Sequence, residues 1–234
     1  MTTVKMAIPR DFILGAAASA WQTEGWSGKQ EGQDSWPDLW YKNDRHVWHN
    51  GYGPAVATDF INRFREDVQL MKLAGLTHYR TSINWSRFLT DYENVTVDEA
   101  YATYYDQLFD ELLANGIEPM INLYHFDMPE ALQKQYGGFE SAHVTDLFAR
   151  FARTAFELFG HKVKYWITFN EPIVPVEGGY LYDFHYPCKK DGSLAAQVAF
   201  NIMLAHAKAV REFRALALES EIGVVLNLTP DRKS

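Results

Sequence analysis

Residues 163–172 read Val163-Lys164-Tyr165-Trp166-Ile167-Thr168-Phe169-Asn170-Glu171-Pro172. The run up to Phe169 is short, apolar, and rich in β-branched and aromatic side chains, which is the make-up of a buried strand. It closes on two polar residues and a proline. Proline disfavours the helical conformation in the residue before it, so Glu171 is expected to be extended, with no helix starting there. A carboxylate at such a strand end, among rings, has its neutral form favoured by desolvation. That suits a group that donates a proton to a leaving oxygen near neutral pH. The plainer reading is a strand-end cap held by a hydrogen bond or an ion pair.

Four further runs have the same character: Phe12–Ser19, Thr77–Trp85, Ile117–Phe126 and Ile222–Leu228. Helical periods lie between them. Phe60, Ile61, Phe64, Val68 and Met71 share one face of a helix predicted over Ala57–Ala74, which Gly75 ends. Thr96 and Glu99 have the spacing of a capping box ahead of a helix ending near Gly116. Val144, Leu147, Phe148, Phe151, Ala155 and Leu158 repeat the period before Gly160, and a last helix is predicted over Leu194–Leu218. Strands alternating with helices mean an α/β fold with a parallel sheet. No Gly-x-Gly-x-x-Gly follows the first strand and no phosphate loop is present, which argues against dinucleotide and nucleotide folds. Instead, polar residues gather where strands end: Gln22 and Glu24, Arg80 and Asn84, His125 and Asp127, Asn170 and Glu171. The C-terminal ends of strands are where (β/α) barrels keep their active sites. Gly25 to Tyr52 reads as an extended loop over that face. With no internal linker, residues 1–234 are expected to form a single domain. A complete barrel has eight strands and roughly 250 residues. Five strands followed by Thr229–Ser234 therefore predict either an open sheet or a partial barrel.

Composition narrows the function. The net charge of −8 disfavours a broad electrostatic grip on nucleic acid or an anionic membrane. Cys188 is the only cysteine, which excludes an intramolecular disulfide and a cysteine-cluster zinc site and suggests a reducing compartment. Lys5 and Arg10 ahead of Phe12–Ala20 superficially imitate a signal peptide, but Pro9 and Asp11 interrupt the approach and a buried first strand is the better reading. No apolar run reaches the ~20 residues that cross a bilayer. The expectation is a cytoplasmic protein. Aromatic residues make up 15% of the chain, a supply that fits the stacking walls of sugar pockets as well as a core.

The strand-end motifs resemble glycoside hydrolase family 1, the β-glucosidase and 6-phospho-β-glucosidase family. Trp21-Gln22-Thr23-Glu24-Gly25 is similar to the end of the family's first strand, and Tyr79-Arg80-Thr81-Ser82-Ile83-Asn84-Trp85-Ser86-Arg87 to its second. His125-Phe126-Asp127-Met128-Pro129 is similar to the end of its third, and Thr168 to Pro172 reproduces its fourth. The resemblance covers the N-terminal half of the family and implies the first five or so units of a (β/α)8 barrel. It implies that Glu171 is the general acid/base, that Asn170 binds the sugar 2-hydroxyl, and that Gln22 and His125 hold hydroxyls on the far side of the ring. Arg80 would sit beside the nucleophile and keep it ionised. Phe126, where plain β-glucosidases usually carry Trp, points to the phosphorylated class. The ligand implied is a β-glucoside, plain or 6-phosphorylated, with neither cofactor nor metal.

The family is retaining and needs a second carboxylate ~5 Å from the first. Its Thr-Glu-Asn-Gly motif has no counterpart here; Glu93-Asn94-Val95 lacks the glycine and follows the second strand. The isolated chain is therefore expected to be inactive and to self-associate through exposed barrel edges, with Glu24 and Asp127 the first candidates for a replacement nucleophile. Two other hydrolase readings are a plain β-glucosidase fragment and a metal-dependent hydrolase using His46, His49, His125 or His185. The spacing of those histidines supports the second poorly. From another class, a non-catalytic carbohydrate-binding or interaction protein can be built on half a barrel.

Overall fold

A computed structural model describes Pro9 and residues 11–228. Lys5, Arg10 and the Thr229–Ser234 tail lie outside the described residues. In chain order the strands are β1 (Gly15–Ala17), β2 (His78–Ser82), β3 (Leu89–Asp91), β4 (Thr96–Val97), β5 (Glu118–Tyr124), β6 (Tyr165–Asn170) and β7 (Glu221–Val225). The helices are α1 (Ala20–Thr23), α2 (Trp36–Asn43), α3 (Phe60–Leu73), α4 (Trp85–Phe88), α5 (Glu99–Ala114), α6 (Glu130–Tyr136), α7 (Ala142–Phe159), α8 (Ile173–Val176) and α9 (Gly192–Ala215).

One sheet has the order β1-β2-β5-β6-β7, and every neighbouring pair in it is parallel. Sequential strands that stay spatial neighbours, each return made by helices, are the pattern of consecutive barrel units. The protein is thus α/β, a partial (β/α)8 barrel of about the first five units. β3 and β4 form a separate antiparallel hairpin after α4, which the apolar patterning does not announce.

The long helices α3, α5, α7 and α9 pack on one face of the sheet. Along β2, buried Tyr79 and Thr81 alternate with half-buried His78 and Arg80, so the strand turns one edge to the core and the other to the concave side. Tyr79 meets Phe60 of α3, Trp166 of β6 meets Phe156 of α7, and Phe169 meets Phe148 with ring centroids 4.7 Å apart. Helix α7 is the main wall, its buried face running from Val144 to Phe159.

Several boundaries differ from the sequence expectation, each for a local reason. The first strand is three residues long and exposed rather than buried, because it is an edge that pairs only β2 among the described residues. Helix α3 starts at Phe60, since Asp59 ahead of it has φ 56°. The cap of α5 is Asp98, whose carboxylate accepts from the Tyr101 N–H at 3.1 Å, while Thr96 lies in β4 and caps nothing. Trp85 opens a helical turn instead of ending a strand, with the Asn84 side chain accepting from Ser86 N–H at 3.1 Å. The Gly25–Tyr52 segment is not all extended: it contains α2, entered at Ser35, whose N–H donates to Asp38 at 2.8 Å.

Candidate active site

Parallel strands carry their C-terminal ends to one rim, and the residues singled out there separate into two groups by burial. Glu24, Asn84 and Asp127 are enclosed. Gln22, Arg80, Phe126 and Glu171 are exposed or half-buried, with His125 and Asn170 nearly buried beside them.

Arg80 and Asn170 are brought together across β2, β5 and β6: the Arg80 Nη1 donates to Asn170 Oδ1 at 3.2 Å. Burial lowers the Arg80 pKa and the Glu171 charge opposes that shift. Arg80 Nε is buried without a partner. The guanidinium nevertheless stays a cation at any working pH, so the concave side has one fixed positive charge with an unspent donor.

Glu171 does not adopt the extended backbone that Pro172 was expected to impose. Its φ is 46°, in the left-handed region, and α8 begins directly after Pro172. One tertiary and one local bond hold it there: Glu171 N–H donates to Val225 O at 2.8 Å, and Val174 N–H closes a turn on Glu171 O at 2.9 Å. The β-bulge between Ile167 and Asn170 lies just before this corner. The side chain is half-buried rather than sealed among rings, and its carboxylate has no hydrogen-bond partner among the described residues.

His125 is uncharged: burial, then the Arg80 charge, push its pKa down to about 3. Asn122 Nδ2 meets its Nδ1 at 3.0 Å, which leaves the second ring nitrogen available to a ligand. Phe126 follows at φ 68° and stands edge-on to His125 (5.1 Å) and to His185 (5.2 Å). Gln22 is exposed on α1 and lines an aromatic cleft of about 620 Å³ with Trp21, Trp48 and Tyr52. Trp21 Nε1 donates to His125 O at 2.8 Å, so the rim after β1 is tied to the rim after β5.

The enclosed carboxylates behave differently, and neither is placed as a replacement nucleophile. Glu24 accepts from the hydroxyls of Tyr101 and Tyr105 and lies 3.9 Å from Arg87. Its pKa is raised by burial, against the pull of Arg87 and the tyrosines. Asp127 accepts the Trp85 N–H and the His125 N–H, each at 2.8 Å. No three His, Cys, Asp or Glu side chains of the described residues stand close enough to hold a metal.

Trp21, Asn122 and His185 were missed as site residues, or weighed only as a metal ligand in the case of His185. Asn122 has a signal in the sequence, a polar residue at an interior position of an apolar strand. His185 has none short of the fold, since its loop must turn back over Phe126.

Parallel strands in sequential order, with polar residues gathered at their C-terminal ends, put the chain in the (β/α)8-barrel class. The chain belongs to glycosyl hydrolase family 1, whose model matches residues 4–232. It is 47% identical over 229 residues to 6-phospho-beta-glucosidase GmuD of Bacillus subtilis, covering 97% of this chain and 49% of that protein. Aryl-phospho-beta-D-glucosidase BglC of the same organism is 36% identical, over 96% of this chain and 46% of its own length. The solved beta-glucosidase from Thermotoga maritima in complex with methoxycarbonyl-substituted glucoimidazole superposes with a TM-score of 0.88 at 36% identity. That match covers 94% of this chain and 50% of that one. The chain spans about half the length of the curated relatives it matches. No described helix is long and apolar enough to cross a membrane.

Proposed function

We propose that this chain carries the acid/base side of a retaining β-glycosidase acting on β-glucosides, with 6-phospho-β-glucosides as the preferred class. The observation that carries the reading is Glu171: an unengaged carboxylate on the rim, beside Asn170 and within the field of Arg80. In the first step Glu171 gives its proton to the glycosidic oxygen as the bond breaks; in the second it takes a proton from the attacking water. Asn170 binds the 2-hydroxyl, a bond that strengthens as the ring gains oxocarbenium character. Neutral His125 and the Gln22 amide hold hydroxyls across the ring, and Phe126 forms one wall. Arg80 keeps the second carboxylate ionised. That nucleophile is supplied by polypeptide outside this chain, because Glu24 and Asp127 are both enclosed and engaged. The 47% identity to a protein named as a 6-phospho-β-glucosidase, together with Phe126, supports the phosphorylated class over the plain one.

The test is a chimera in which this chain is joined to the remaining half of the B. subtilis relative. Aryl 6-phospho-β-glucoside should be turned over faster than aryl β-glucoside. A folded chimera that hydrolyses neither removes the reading. A second reading, a non-catalytic sugar-binding half barrel, is favoured for the isolated chain by its single open carboxylate. Sugar binding without turnover in both chain and chimera would establish it.

A further inference from the structure

Asp127 is completely buried, yet nothing about its surroundings serves its charge as Arg87 serves Glu24. Its two oxygens are used by two backbone amides from two different strand ends: Oδ2 accepts from Trp85, just past β2, and Oδ1 from His125, just past β5. Between His125 and Asp127 stands Phe126 at φ 68°, a conformation that costs a side chain with a Cβ and persists only where neighbours enforce it. The carbonyl of His125 is pinned as well, by the Trp21 indole at 2.8 Å.

We propose that Asp127 is a positioning residue: its ionised carboxylate, bridging the Trp85 and His125 amides, holds Phe126 left-handed and so sets where the His125 and Phe126 side chains stand on the rim. This deepens the proposed function, because it concerns the two residues that would face the sugar, but its test needs no substrate. Protonation turns one carboxylate oxygen into an O–H donor that meets an N–H donor, so one of the two amide bonds is lost and the turn loosens. Glu24, from the turn after β1, acts on Asp127 electrostatically, and the Asp127 charge in turn raises the pKa of Tyr92 in the hairpin and of Tyr124 in β5. Burial first, with a smaller push from Glu24, lifts the Asp127 pKa to about 6 against the pull of the amides. The His125 ring stays neutral far below that, so a transition there does not originate in it.

The experiment is a pH titration of the chain by ¹H–¹⁵N spectroscopy between about pH 4.5 and about pH 8, spanning the Asp127 transition. The Trp85 amide, the His125 amide and the Trp21 indole should move in one transition with a common midpoint near 6. The Trp166 indole, packed against Phe156 on the helical side, should not. Asp127→Asn should abolish the transition at all three reporters, and Asp127→Glu should restore a titration. His46 and His49 flank Trp48, which packs on Trp21. The transition must therefore survive in the His46→Gln/His49→Gln variant. Hydrogen exchange at the His125 amide, read by mass spectrometry, carries the same test into an associated sample. If Asp127→Asn fails to fold, the wild-type titration decides alone. A static Trp21 indole, or a midpoint different from that of the two amides, overturns the proposal. Failure of the chimera to hydrolyse a glucoside leaves these signals unaffected.

Discussion

At Glu171, replacement by glutamine keeps the shape of the strand end and removes the proton. In the chimera, Glu171→Gln should cost about 10²–10⁴-fold in rate for substrates with poor leaving groups, which need protonation in the transition state. Activated aryl glycosides should lose less in the bond-breaking step. Equal and slight losses for both would remove Glu171 from the chemistry. Asp127 makes a different forecast, because its effect on global stability opposes its effect on local order. Its pKa in the folded chain is about 6 against an ordinary 3.8. The penalty for burying its charge is therefore fully present above about pH 6 and is lifted as the pH falls towards 3.8. Acidification should stabilise the wild-type chain relative to Asp127→Asn, by about 3 kcal/mol at the limit. Denaturant midpoints of the two proteins, compared at neutral and mildly acid pH, measure it. A gap that does not change with pH would mean that Asp127 is not buried as an anion.

Helix α7 shows how an element was legible and where legibility stopped. Its apolar residues recur at helical spacing, and in the fold Phe148 is fully buried among Trp85, Phe169, Tyr124 and Phe139. Phe148→Ala should therefore cost about 3–5 kcal/mol and lower the melting temperature on the order of 10 °C, with Phe148→Leu costing less. Calorimetry checks both, and a loss no larger than that of a surface substitution would show the packing is not as described. The five sheet strands were legible as short apolar runs, and their parallel pairing followed from the helices between them, whereas their order is read from the fold. What was not legible depends on contacts distant in sequence. Thr96 has the spacing of a cap, and its pairing into β4 takes it out of that role and leaves Asp98 to cap α5. Glu171 escapes the expected extended form because β7 takes its N–H, a partner more than fifty positions away in the chain. Among the rim residues, type and order pointed to the open set, but they did not separate Glu24 and Asp127 from Glu171. Enclosure by Tyr101, Tyr105 and the Trp85 amide is a property of the assembled rim.

Over the whole molecule, the described sheet has two free edges, β1 and β7. Exposed apolar side chains flank both: Phe12, Ile13 and Leu14 at one, Leu226 and Leu228 at the other. Unpaired strands beside apolar surface recruit other chains. The 234-residue polypeptide should accordingly associate as its concentration rises, and a stable monomer in light scattering would defeat that expectation. The bonds that cross the rim also decide how freely its parts can be exchanged. The segment after β6 carries Glu171, which leans on β7 through its backbone, but beyond Pro172 it is packed down by side chains: buried Tyr180 donates to Glu140 at 3.0 Å, and His185 stands against Phe126 and Trp36. The segment after β5 is lashed to Trp21 on one side and to Trp85 on the other. A transplanted tip there severs both lashings at once unless it arrives with its own aspartate. Neither corner can therefore be exchanged by itself, because His185 of the β6 segment rests on Phe126 of the β5 segment.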